Sequence, residues 1–263
     1  NVFMYLKPEI FGISDGATAI KLSFLSVAVW WAVFTIPLIL FVPEPKNYDA
    51  VDIKNAIQMG WIQLIQTFDE IRNMKVVGTF LLAYFFYIDG VDTIIKMAVD
   101  YGMSLNFSGE SLIIALLIVQ FVAFPAALIY GQLASKVGIK TAIMIGIIAY
   151  SFITFLGYFI TKAWHFYVLA ILIGLFQGGI QALSRSLYTR IIPVEKSAEF
   201  FGFYNMLGKF AAIIGPALMG TISLVTGSAR LGILSILLLF ILGAFFLNKV
   251  DLDEGKRLAA DGL

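Results

Sequence analysis

Four ionisable side chains fall inside one long apolar stretch: Asp89, Asp92, Lys96 and Asp100, spaced three, four and four residues apart. At about 100° per residue, this spacing puts all four on one stripe of a helix. Their neighbours are Phe85-Phe86-Tyr87-Ile88 before and Thr93-Ile94-Ile95 between. A charge at the centre of a membrane-spanning helix costs about 2.5–3.5 kcal/mol even on a lenient scale, so it needs a partner, water or a task. Asp92 and Lys96 can be an internal ion pair that only seats the helix. Asp89 is about 20 Å in from Val76 at about 1.5 Å per residue. Lys96 is a poor partner for it, because Asp92 lies closer. Asp89 is therefore a candidate for lining a solute or proton pathway, whereas Lys96 and Asp100 approach the far surface and can snorkel there.

A second cation, Lys209, lies in another apolar stretch, about 14 Å in from Phe200 by the same rise. From there a lysine does not easily reach either surface. Asn205 is one turn earlier on the same face. Lys209 could meet an anionic group of a solute, take part in proton movement, or close a salt bridge to Asp89 or Asp92 that breaks on gating. Gln177, Gln181, Ser184 and Arg185 fall at i, i+4, i+7 and i+8 and form a third polar face, either a cavity wall or a set of interhelical hydrogen bonds. Gly174, Gly178 and Gly179 in the same stretch would let a neighbouring helix approach closely. Gln120 is a weaker candidate of the same kind. Pro125 and Pro216 can kink their helices, and His165 reads as an interfacial side chain.

The elements that must position these groups are membrane spans. The 263 residues are 60% hydrophobic and 13% charged, with a mean hydropathy of +0.92. A soluble domain is nearer about 45–50% apolar and about 25% charged, so lipid must cover much of this surface. Seven stretches reach the ~20 apolar residues that a spanning helix needs. They are Leu22–Val42, Val76–Ala98, Ser111–Leu133, Thr141–Ile160, Trp164–Ser184, Phe200–Leu224 and Leu231–Asn248. The fold class is all-α, a polytopic transmembrane bundle whose first partner is the lipid bilayer. A net charge of +1 gives no reason to expect nucleic acid, and with no cysteine there is neither a disulfide nor a thiolate metal site. No signal peptide is read. The apolar Asn1–Leu6 resembles the tail of an earlier segment, so a missing N-terminal portion is expected.

Basic residues set the orientation. Lys46, Lys54, Arg72, Lys75, Lys136, Lys140, Arg185, Arg190, Lys196, Lys249, Lys256 and Arg257 fall at one set of segment ends, against Lys7, Lys21, Lys162 and Arg230 at the other. Twelve against four makes the first set, and the C-terminus, cytoplasmic. The organisation expected is a last spanning helix of one half over 1–42, a cytoplasmic linker over 43–75, a six-helix half over 76–249 and a solvated, frayed tail over 250–263. Within the linker, Ile57, Trp61, Ile65, Phe68 and Ile71 recur at helical spacing opposite Gln63, Gln66, Glu70 and Asn73. That pattern predicts an amphipathic helix on the membrane surface or against the bundle.

The stretch Gly131-Gln-Leu-Ala-Ser135-Lys136-Val-Gly138-Ile-Lys140 resembles the loop signature of the major facilitator superfamily, with Ser135 in the place of an Asp and Ile139 in the place of a basic residue. Its glycines would permit a tight turn and its lysines would stay with the headgroups. Tyr87-Ile-Asp89-Gly90-Val-Asp92-Thr93, Gln177 to Ser186, Phe201 to Lys209 and Gly215-Pro216 resemble the vacuole-effluxer-like branch of that superfamily. So do Lys7-Pro8-Glu9, Trp30-Trp31 and Pro43-Glu44-Pro45. The resemblance covers nearly the whole chain. It implies a twelve-helix carrier of which these are helices six to twelve, with the missing N-terminal half as an intramolecular partner.

The same resemblance implies alternating access between two six-helix halves, with the seventh and tenth helices lining the cavity and the eighth and eleventh meeting the other half. Asp89, Asp92, Gln177 and Gln181 would face the cavity, Asn205 and Lys209 would lie near it, and Gly131, Ser135, Lys136, Gly138, Lys140 and Arg185 would form a cytoplasmic gating region. The function implied is secondary transport of small polar solutes, amino acids being the case known in fungi, with protons a possible coupling ion. The bacterial members resembled place the chain in a cytoplasmic membrane. The alternative is a non-transporting scaffold or receptor on a carrier-like fold. No paired-histidine metal motif, Gly-x-Ser-x-Gly elbow or phosphate loop is present, so no enzyme and no cofactor is expected.

Overall fold

The computed structural model describes residues 1, 4–5, 7–13, 15–43 and 53–260, without the side chains of 53, 54, 56 and 260. Lys46, Glu44-Pro45 and the side chain of Lys54 therefore lie outside the described residues, as do parts of Asn1–Leu6 and residues 261–263. The chain divides into two units, Asn1–Ile57 and Gln58–Leu263, so the break falls within the expected linker.

In the first unit a 3-10 turn at Pro8–Phe11 precedes α1 (Gly16–Phe41). Asp15 starts α1 as its N-cap: Oδ1 accepts the Thr18 N–H at 2.8 Å, and Oδ2 accepts the Thr18 hydroxyl at 2.8 Å. This satisfies a donor that the first helical turn leaves orphaned. The second unit holds most of α2 (Ile53–Asn73), then α3 (Lys75–Ser104), α4 (Gly109–Val137), α5 (Ile139–Tyr158), α6 (Ala163–Thr189) and α7 (Ser197–Thr226). It closes with α8 (Ala229–Ser235), α9 (Leu237–Asn248) and α10 (Leu252–Ala260).

Among the described residues seven helical stretches are long and apolar enough to cross a membrane, α8 and α9 together making the last. Each falls on an expected segment, with ends shifted by up to six residues. The last span is interrupted at Ile236. There the Ile236 and Leu239 N–H groups donate three residues back, to Ile233 and Ile236, and the Ser235 hydroxyl donates to the Gly232 carbonyl. The backbone is tightened locally to a 3-10 turn, which hydropathy does not register.

Small residues set the packing. A Cβ on Gly174 would stand 2.9 Å from Val122 Cβ, one on Gly178 would stand 3.1 Å from Ala127 Cβ, and one on Gly179 would strike the Tyr130 ring. The glycine stripe of α6 therefore seats α4, as its spacing suggested. Gly243 of α9 similarly admits the backbone of Tyr87 in α3, and Gly90 of α3 admits the Phe240 ring.

The two ends of the bundle are clamped by cations on helix C-termini. At one end Lys140 Nζ donates to the Asn248 and Val250 carbonyls, at 2.9 and 2.6 Å, after α9 has ended. At the other end Arg230 donates to the Tyr158 and Ile160 carbonyls, at 3.0 and 2.7 Å, after α5. Both pairs satisfy orphan carbonyls and oppose the negative end of a helix dipole. Lys140 thus has a different task from the expected one at the headgroups. Lys140→Met should destabilise the protein by about 1.5–3 kcal/mol, the range for hydrogen bonds to charged groups, read by denaturation in detergent.

Two further expectations change. Gly131 does not turn; α4 runs straight through it, and the connection is the single residue Gly138, at φ 88° and ψ 148°. Only glycine takes that conformation readily. The tail is not frayed over its described part: Asp251 Oδ1 accepts the N–H groups of Asp253 and Glu254, and α10 follows, with Gly255 packed on Val76 and Ile191.

Candidate functional site

Asp89 is fully buried in α3. Its Oδ1 accepts the Gly215 N–H of α7 at 2.9 Å and faces the Thr93 hydroxyl, one turn on, at 3.4 Å. Its Oδ2 is buried without a hydrogen-bond partner. The contact exists because Gly215 lacks a side chain: a Cβ there would overlap Thr93 Oγ1 and stand 2.8 Å from Asp89 Oδ1. The next residue, Pro216, has no N–H and leaves the Ala212 carbonyl without its usual helical donor. A buried carboxyl therefore bridges two spanning helices at a locally weakened turn of one of them.

The other ionisable residues are distributed differently. Asp92 is half-buried and pairs with the exposed Lys96 at 3.3 Å, one turn apart; Asp100 is exposed. The stripe runs from the interior at Asp89 to the surface at Asp100. Lys209 and Asn205 are exposed on α7. The salt bridge considered between Lys209 and Asp89 or Asp92 is not among the ion pairs of the described residues. Lys209 and Gly215 are six residues apart, which at about 100° per residue turns them about 120° away from each other. Asp89 meets the Gly215 side of α7, so Lys209 is directed elsewhere.

On α6, Gln177 and Gln181 are half-buried, with Gln177 Oε1 lacking a partner, and Arg185 is exposed. Ser184 is buried, hydrogen-bonded to the Tyr87 hydroxyl at 2.7 Å and donating to the Ile180 carbonyl. Of the expected gating residues, Gly131, Ser135, Lys136 and Gly138 are exposed and Lys140 is held at the end of α9.

One group had no role assigned from the sequence. Tyr84 of α3, Tyr188 of α6 and Tyr204 of α7 form a stacked cluster where three helices meet, with Tyr87 of α3 edge-on to Tyr84. Tyr84 and Tyr204 are 4.1 Å apart between centroids, and Tyr188 and Tyr204 are 4.9 Å apart. Tyr188 donates to the Phe200 carbonyl at 3.1 Å. Four tyrosines in spanning segments are visible in the sequence, but their convergence depends on how the helices are rotated. Aromatic stacking with satisfied hydroxyls holds α3, α6 and α7 together on one side of Asp89.

Among the described residues, seven apolar spans, one pair of them bridged by a buried carboxyl, define a multi-pass integral membrane protein. The chain belongs to the vacuole effluxer Atg22-like family, which matches residues 2–260. It is 40% identical over 249 residues to an uncharacterized MFS-type transporter, YxiO, of Bacillus subtilis (strain 168), covering 95% of this chain and 58% of that protein. It is 30% identical over 276 residues to autophagy-related protein 22 of Saccharomyces cerevisiae (strain ATCC 204508 / S288c), covering 92% and 52%. Against the protein of the same name in Yarrowia lipolytica (strain CLIB 122 / E 150) it is 30% identical, covering 94% and 47%. The chain thus spans about half the length of the relatives it matches. The resemblance read from the Asp89, Gln177 and Lys209 stretches is correct at the level of family and superfamily.

Proposed function

We propose that this chain forms the C-terminal half, with one preceding helix, of a secondary active carrier that moves small polar solutes, amino acids among them, by alternating access. The observation that carries the reading is Asp89: a carboxyl buried between two spanning helices, with one oxygen bonded across to α7 and the other unpartnered. In a bilayer such a group is costly, and its common use is to take up an ion or a solute. In this reading Asp89 accepts a proton on Oδ2, and the change of charge alters its hold on Gly215 at the turn before Pro216. The solute is met elsewhere: Lys209 and Asn205 receive its carboxylate, while Gln177, Gln181 and Asp92 complete the polar lining. An amino acid is favoured because an exposed lysine within a span suits a solute carboxylate, and because the family is described as vacuole effluxer-like.

The complete carrier contains a second half, and the lysine-rich end of the bundle, with the C-terminus, faces the cytoplasm of a bacterial cell. The test is counterflow in proteoliposomes bearing the complete protein, loaded with unlabelled amino acids and given a labelled pool. Trans-stimulated uptake is expected. Lys209→Gln should raise the half-saturating concentration about tenfold or more, the equivalent of one charged hydrogen bond of about 1.5–3 kcal/mol. Exchange that is unchanged in both Lys209→Gln and Asp92→Asn would remove these residues from the site.

A further inference from the structure

The linker helix α2 has three different edges. Leu64, Thr67 and Ile71, spaced three and four, form the docked edge: Thr67 and Ile71 are buried and Leu64 packs on the core. Gln58, Gln66, Asp69 and Asn73 form a mainly polar edge, all exposed, with the exposed Ile62 among them. Between these lies a third edge, Trp61, Ile65 and Phe68, spaced four and three, apolar yet 64%, 47% and 53% exposed. Arg72, one turn further along this edge, is also exposed.

Two contacts set the depth of that edge. Glu70 is paired with Lys196 at 2.6 Å, just before α7 begins at Ser197. The Phe68 ring lies 6.2 Å from that of Phe203, which stands in the second turn of α7 and within its span. The ion pair therefore lies at the start of this span and Phe68 beside its following turns. On its docked side α2 borders a groove of about 320 Å³ lined by Leu64, Ala198 and Phe203 as well as by Gln63, Thr67 and Glu199.

We propose that the Trp61–Ile65–Phe68 edge beds into the lipid of the leaflet at the lysine-rich end of the bundle, so that α2 is a membrane-surface helix fastened to the first turns of α7. The occupant is lipid because the edge lies level with the start of a span, because it carries tryptophan, which favours the headgroup boundary, and because Arg72 stands where an anionic headgroup would meet it. An apolar helix face in this position enters about 5–10 Å into the headgroup and acyl boundary. Lipid contact does not depend on which solute crosses, or on whether any does.

The test uses the complete protein in vesicles containing anionic lipid. This chain has no cysteine of its own, so any elsewhere in the complete protein are replaced and single cysteines are placed at 61, 65, 66, 68 and 69 for spin labelling. Labels at 61, 65 and 68 should collide freely with dissolved oxygen and largely lose broadening by a water-soluble nickel chelate. Labels at 66 and 69 should show the reverse. Exclusion of both reagents at 61 and 65 would overturn the proposal and assign the edge to protein, either the second half or a second copy. Strong nickel broadening at all five positions would overturn it in favour of a helix standing in water.

Discussion

A valine at Gly215 will push α3 away from α7 and leave the complete protein markedly less stable. The first added carbon already overlaps Thr93 Oγ1 and crowds Asp89. Overpacking of this kind costs about 1–3 kcal/mol, and loss of the buried Gly215–Asp89 hydrogen bond adds about 1–3 kcal/mol for the groups left unmatched. The control lies on the same helix: nothing stands within 4 Å of a Cβ on Gly220, so Gly220→Ala should cost no stability and can gain about 0.5–1 kcal/mol. Unfolding of both variants in mixed detergent measures the difference. Equal stability of the two would mean that α3 and α7 do not approach at Gly215.

The second large effect is on transport, and it separates the structural part of Asp89 from its proposed chemistry. Asn at position 89 keeps the size of the side chain and an oxygen that can accept the Gly215 N–H, but it cannot exchange a proton. Asp89→Asn should therefore unfold within about 1 kcal/mol of the parent and lose gradient-driven accumulation while still exchanging solute. Asp89→Leu leaves the Gly215 N–H buried and unmet, and should lose about 1–3 kcal/mol of stability as well. If the asparagine variant transports normally and only the leucine variant fails, Asp89 is a fastener between two helices and nothing more.

Much of this architecture is legible in the sequence because membrane spans obey a length and hydropathy rule that few other elements satisfy. Seven apolar windows became seven spans, and the polar and glycine stripes of α6 appeared where spacing placed them. What was not legible depends on how one helix is rotated against another. Spacing puts Asp89 and Lys209 on faces of their own helices, yet does not say that α7 presents Gly215 to Asp89 and turns Lys209 away. The tyrosine cluster at Tyr84, Tyr188 and Tyr204 was hidden for the same reason. The Gly131 stretch misled differently. The loop signature's glycines suggested a tight turn, which falls at Gly138 alone, whereas Gly131 stays within α4. The headgroup task expected of Lys140 gave way to a nearer demand, the unmatched carbonyls beyond α9.

The proton reading and the helix-bridge reading come together in one place, the free oxygen of Asp89 beside the Gly215-Pro216 turn. The bond to Gly215 joins helices that would have to shift if the half changes shape during transport. A carboxyl that alternates between charged and neutral forms would hold that bond with different strength in the two states, which is a local means of linking ion movement to helix movement.

The most direct test is uptake of labelled amino acids by proteoliposomes under an imposed pH gradient, comparing the complete parent protein with Asp89→Asn. The account predicts that the parent accumulates label above its equilibrium level and releases it when a protonophore collapses the gradient. The asparagine variant should exchange label without accumulating it. Accumulation by Asp89→Asn equal to that of the parent would contradict the account.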